Sequence, residues 1–230
     1  MILNKIKRDK KQMVILIDPD KENNASLLKF CKKINKIPVD YLFVGGSLLQ
    51  KNISETINIL KKNSDLPIIL FPGSLLQISD NADAILLLSL ISGRNPDFLI
   101  GNHVIAANFL KKSKLEILPT GYLLIESGNI TSVEYISNTK PIPRNKIDIA
   151  VATAIAGEIL GLKLIYLEAG SGAKKIVNLK MIEEVKKNIS VPLIVGGGIK
   201  RRNEIDKIYK AGADIVVIGT ALEKNENFFL

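Results

Sequence analysis

Eight short, uniformly apolar runs recur from one end of this chain to the other, separated by amphipathic stretches. They lie at residues 14–18, 41–44, 67–71, 84–88, 116–118 together with 121–125, 164–168, 193–195 and 215–218. Alternating polar and apolar residues would indicate strands with one wet face. Uniform apolarity instead suits parallel strands covered on both faces. The stretches between them read as helices, around residues 25–34, 54–62, 96–112 and 146–160. Eight units in 230 residues average about 29 residues each, the spacing of a (β/α)8 barrel. No linker marks a boundary, so residues 1–230 are expected to form a single TIM-barrel domain.

The barrel is expected to be modified in two places. Between the third and fourth runs, residues 72–83 are too few and too rich in turn formers for a covering helix with two loops. A short irregular segment therefore replaces the third helix and leaves an apolar gap in the wall. After the last run only residues 220–230 remain, which predicts a short C-terminal end. The segments at 40–47 (DYLFVGGS) and 214–221 (DIVVIGTA) are weakly alike, as modules of one barrel would be.

Hydrophobic residues at 47% and charged residues at 24% describe a globular chain. With aromatics at 5% and no Trp, the core must be built from Ile, Leu and Val. One cysteine, Cys31, excludes a disulfide framework and reads as packing. No uncharged apolar run reaches the length of a membrane span, and the first residues lack a secretory pattern, so a soluble, cytoplasmic protein is expected. The net charge of +9 raises the question of polyanions. The lysines are scattered, however, and no aromatic residues are interleaved to stack bases, so nucleic acid is not expected as a partner.

In such a barrel the chemistry sits at the C-terminal ends of the strands. The sixth run ends in Tyr166-Leu-Glu-Ala-Gly-Ser-Gly172, the seventh in Gly196-Gly-Gly-Ile199 and the eighth in Gly219-Thr220. Glycines at three neighbouring strand ends let backbone N–H groups converge on a phosphate. Across the mouth, the first run delivers Asp18-Pro-Asp-Lys21 and the second Gly45-Gly-Ser47. Asp18 and Ser47 together suit Mg²⁺, a hard cation that keeps waters and binds substrate phosphate; the same two residues would also serve as turn or helix caps. His103 has no partner at metal-ligand spacing and reads as a wall residue, and Lys200-Arg-Arg202 as a solvated first helical turn.

The motifs DPDK (18–21), GGS (45–47), GNH (101–103), SVEYISNTKPIP (132–143), YLEAGSGA (166–173), GGGI (196–199) and ADIVVIGTALE (213–223) together resemble the geranylgeranylglyceryl phosphate synthase family, archaeal-type enzymes and bacterial relatives that include heptaprenylglyceryl phosphate synthases. The resemblance covers residues 13–223, and the intact YLEAGSGA is closer to the archaeal type. It implies a Mg²⁺-dependent transfer of a polyprenyl (geranylgeranyl) group from its diphosphate to the C3 hydroxyl of sn-glycerol 1-phosphate. By motif position, Asp18 and Ser47 would hold Mg²⁺. Tyr166, Leu167, Glu168, Ala169, Gly170, Ser171, Gly172, Gly197, Gly198, Gly219 and Thr220 would bind the glycerol phosphate. Glu168 would take the hydroxyl proton, Tyr166 would orient the glycerol, and the gap left by the third helix would hold the prenyl tail. The resemblance also implies a homo-oligomer, and transient contact with a membrane surface is a further expected partner.

Two other readings stay open on the residues. A phosphate-binding barrel isomerase or synthase would use Asp18 and Glu168 as an acid–base pair. A non-enzymatic basic barrel would explain the charge but leave the converging glycine loops without purpose.

Overall fold

A computed structural model describes residues 1–35 and 37–219 of the chain. Each apolar run forms a strand: β1 (Gln12–Ile17), β2 (Tyr41–Val44), β3 (Ile68–Leu70), β4 (Ala84–Ser89), β5 (Glu116–Leu124), β6 (Leu164–Glu168), β7 (Leu193–Gly196) and β8 (Ile215–Ile218). They pair in parallel and in sequence order, and Gln12 to Ile15 pair with Ile215 to Ile218 to close the barrel. The fifth run, read from the sequence as two pieces, is one nine-residue strand. Pro119 does not break it: it lies opposite Leu87, and its carbonyl accepts from the Lys163 N–H at 2.8 Å. Proline removes one donor and leaves the acceptor.

Within the uniformly apolar strands, alternate residues serve two different cores. Val14, Phe43, Ile69, Leu86, Tyr122, Tyr166, Ile194 and Val217 fill the barrel. Ile15, Leu42, Leu70, Ile85, Leu123, Leu167, Val195 and Val216 face outward to the helices. Four aromatic residues meet near the barrel axis. Phe71 stacks on Tyr166 with ring centres 5.5 Å apart, Tyr122 meets Tyr166 edge-on at 5.3 Å, and Phe43 lies 5.9 Å from Phe71.

The likeness of segments 40–47 and 214–221 has a structural reason at the other end of the barrel. Asp40, just before β2, accepts from the Met13 N–H of β1 at 2.8 Å. Asp83, before β4, accepts from Ile68 of β3 at 2.8 Å, and Asp214, before β8, from Leu193 of β7 at 2.7 Å. Each aspartate satisfies a donor at the start of the preceding strand that would otherwise be orphaned. Asp214, 2% exposed, also binds Lys186 Nζ at 2.6 Å.

The helices that follow the strands are α1 (Asn24–Ile34), α2 (Ile53–Asn63), α3 (Asn102–Lys112), α4 (Ser132–Ser137), α5 (Ile147–Ile159), α6 (Leu179–Asn188) and α7 (Arg202–Lys210). Asn23, Asn52 and Asn178 cap α1, α2 and α6 through their side-chain oxygens. The helix expected over 96–112 begins instead with a wide turn, Asp97–Gly101, and is regular only from Asn102. Between β3 and β4 stands a single 3₁₀ turn, Leu75–Gln77, where a covering helix would be. Cys31 is buried in the core under α1. The expected short end falls on residues 220–230, outside the described residues. Among the described residues, no helix is long and apolar enough to cross a membrane.

Candidate active site

The strand ends surround a cavity of about 700 Å³ that reaches from the mouth of the barrel into the wall beside β4. The inward alternation decides which mouth residues it meets. Positions 14, 16 and 18 share one face of β1, and 164, 166 and 168 share one face of β6, so Asp18 and Glu168 both line the cavity. Gly45, Phe71 and Gly219 line it for the same reason. Leu167 and Ala169 do not. Their side chains pack outside the barrel, and the Ala169 N–H is taken by the Gly196 carbonyl at 3.0 Å. Their side chains are kept out of the cavity because adjacent strand residues point to opposite faces.

On one side of the mouth the two glycine loops meet. Gly170, Gly172, Gly197 and Gly198 all have positive φ, and all line the cavity together with Ser171. A Cβ on Gly198 would fall 2.7 Å from the Lys175 carbonyl oxygen, and one on Gly197 would collide with Glu168 and Gly170. Nothing approaches the equivalent point on Gly172 within 4 Å. Glycine is therefore required at 197 and 198 by space as well as by backbone conformation. Thr220 lies outside the described residues.

Glu168 sits under these loops, 5% exposed, and accepts from the Gly170 N–H at 2.6 Å. Burial raises its carboxyl from the ordinary 4.5 to about 7, against the opposing pull of the Tyr166 hydroxyl and the Gly170 N–H. The Tyr166 hydroxyl is buried beside that carboxylate; burial first, and then the Glu168 charge, raise its pKa well above the ordinary value. Tyr166 lines the cavity above the aromatic cluster.

Across the mouth, Asp18 Oδ1 accepts from the Asp20 N–H at 3.2 Å and so caps the turn Pro19–Lys21, while Oδ2 pairs with Lys21 Nζ at 3.1 Å. Ser47 lines the cavity and does not cap α2, whose cap is Asn52. The loop that carries Ser47 is held by Gln77, which sequence reasoning missed. Its amide, 2% exposed, accepts from the N–H groups of Gly46 and Gly73 at 3.2 and 3.1 Å and donates to the Gly46 carbonyl at 2.7 Å. The one signal was a glutamine closing an otherwise apolar Leu-Leu-Gln turn. Among the described residues, no group of three or more His, Cys, Asp or Glu side chains forms a ready-made metal cage.

The third region is apolar. Leu75, Ile78, Ile85, Leu87, Ala106 and Leu110 line the cavity where a third covering helix would otherwise pack. His103 stands in this wall with Nε2 3.1 Å from Ser89 Oγ, and burial lowers its pKa. It is a wall residue, as read from the sequence. Lys200, exposed, reaches the rim, where its Nζ donates to the Lys174 carbonyl at 3.3 Å. Tyr122, also missed, lines the cavity because it occupies an inward position of β5.

Comparison with known proteins extends the resemblance to the whole chain. Residues 4–230 match the PcrB family. The geranylgeranylglyceryl phosphate synthase of Flavobacterium johnsoniae is 54% identical over 229 residues, 99% of this chain and 94% of that protein. The enzyme of the same name from Pyrococcus furiosus is 44% identical, over 94% and 87% of the two chains. Among solved structures, the (S)-3-O-geranylgeranylglyceryl phosphate synthase of Thermoplasma acidophilum, in complex with its substrate sn-glycerol-1-phosphate, superposes with a TM-score of 0.93 at 33% identity, covering 99% of this chain and 92% of that one.

Proposed function

The chain belongs to the PcrB family and is a prenyltransferase; from that premise we propose that it joins a polyprenyl group, geranylgeranyl in the first instance, to the C3 hydroxyl of sn-glycerol 1-phosphate. The observation that carries this reading is the three-part cavity: glycine loops for a phosphate, an acidic and hydroxyl corner for a diphosphate, and an apolar groove for a tail.

The glycerol phosphate is held by the loops of Gly170, Ser171 and Gly172 and of Gly197 and Gly198, with Gly219 at the third strand end. Tyr166 offers its hydroxyl to the glycerol. Glu168, half ionised near neutral pH, accepts the C3 hydroxyl proton. The C3 oxygen then forms a bond to the allylic carbon, the bond from that carbon to the diphosphate oxygen breaks, and the electron pair leaves with the diphosphate. Asp18 and Ser47 would hold Mg²⁺ at the diphosphate. Their hard oxygens fit it, and the absence of a fuller cage among the described residues suits an ion that keeps its waters. Bound there, the ion would neutralise charge on the leaving group. The rest of the protein orients the two substrates and excludes water.

Self-association belongs to this reading. The outer side of α5 supports it, with Ile149, Ile159 and Leu160 exposed. A cytoplasmic location is part of the same proposal. An isomerase pairing Asp18 with Glu168 gains no support, because it leaves the apolar groove unused. Incubation with glycerol 1-phosphate and polyprenyl diphosphates of several lengths, with and without Mg²⁺, tests the reading. A product whose mass equals glycerol phosphate plus the prenyl group, formed only with Mg²⁺, is expected. No such product at any length would reject it.

A further inference from the structure

Six of the exposed large apolar side chains among the described residues stand on the segments that follow β3, β4 and β5, and none of the six lines the cavity. The wide turn and α3 turn Asn102, His103, Ala106 and Leu110 inward, yet their outer side shows Ile100, Val104 and Ile105, each at least 60% exposed. Next to the lining residue Leu75, Leu76 is 93% exposed at the tip of the 3₁₀ turn. On the α4 side, Ser132 and Val133 line the cavity while Ile130 and Tyr135 stand in solvent. A helix that only closed a groove would be polar on its outer side. This one is apolar on both, and such a patch marks an interaction surface.

We propose that this rim is a membrane-docking surface, and that its partner is a bilayer containing anionic lipid. The inference rests on the functional reading above, in which one substrate and the product carry a long apolar chain. The groove opens beside the patch, so a tail can pass between bilayer and groove without crossing water. Charge selects an anionic surface: the chain carries +9, and Lys174 and Lys200 stand exposed at the mouth. Aliphatic and tyrosine side chains flanked by lysine are the composition of interfacial segments. A second copy of the chain is the competing occupant. Ile149 and Ile159, exposed on α5, provide for that separately.

The test is co-sedimentation of the full chain with vesicles of phosphatidylcholine alone or mixed with phosphatidylglycerol, run beside turnover of a short, water-soluble prenyl diphosphate. Binding to the mixed vesicles is expected, weakening several-fold as salt is raised. The pair Leu76→Glu with Ile105→Glu should reduce binding roughly tenfold or more, given the apolar area lost from the interface, with turnover of the soluble donor held within about twofold. The milder pair Leu76→Ser with Ile105→Ser should fall between wild type and the glutamate pair. Wild-type binding in the glutamate pair, no binding of the parent to mixed vesicles, or dissociation of a dimer by these substitutions would overturn the proposal. Turnover of the soluble donor is read independently, so its loss in the parent chain would count against the prenyl-transfer reading and not against docking.

Discussion

Replacing Glu168 by Gln should make the protein more stable and less active, with a stability gain that depends on pH. The buried carboxyl titrates at about 7 in the folded chain instead of the ordinary 4.5. A raised carboxyl favours the folded state while it is protonated. That contribution is fully present below pH 4.5 and is lost as pH rises through about 7. Over this window the ionised folded protein gives up about 3 kcal/mol relative to its protonated form. Glutamine has nearly the same shape and carries no charge. It should match wild type near pH 4.5 and exceed it by up to about 3 kcal/mol at about pH 9. Urea unfolding of both proteins across this range measures the difference directly. Turnover should fall about 10²- to 10⁴-fold, because the amide cannot accept the hydroxyl proton. The acid limb of kcat/KM, placed near pH 7 by Glu168 in the free protein, should disappear with it. A stability difference that does not vary with pH would refute the argument, since burial would then not be what holds the carboxyl protonated.

Three further expectations follow from the same geometry. Gly198→Ala should weaken glycerol 1-phosphate binding at least tenfold and destabilise by about 1–3 kcal/mol through its contact with Lys175, whereas Gly172→Ala, with open space around it, should lose affinity at a stability cost of only about 1 kcal/mol; calorimetric titration and thermal melts separate the two. Asp18→Asn should lower Mg²⁺-dependent turnover about a hundredfold or more while glycerol phosphate affinity stays within about twofold of wild type, and parallel loss of both would make Asp18 only the cap of its turn. Asp214→Asn should cost about 1–3 kcal/mol in urea unfolding, because the buried Lys186 ammonium keeps only the exposed Asp9 as a carboxylate partner, with no change in the affinity for glycerol phosphate.

Strand number, strand order and the glycine loops were legible in the residues themselves. An apolar run bounded by turn residues specifies a buried strand locally, and a positive φ favours glycine. The gap at residues 72–83 was legible as simple shortage of chain. What could not be read was the facing of each strand. In Leu164 to Glu168 every residue is buried, so the pattern carries no phase, and Leu167 and Ala169 looked as near to substrate as Tyr166 and Glu168. Only pairing with β5 and β7 sets Tyr166 and Glu168 inward and sends the other two to the helices. The same holds for Gln77, whose amide reaches a loop 31 positions earlier in the chain, and for Tyr122 under the cavity. The basicity of Glu168 is also a product of the fold. The residue type sets 4.5, and desolvation beneath two loops distant in sequence moves it to about 7. Local chemistry thus determined which elements form and which residues are chemically equipped; closure of the barrel decided which of them face one another, because inside and outside exist only once eight strands have joined.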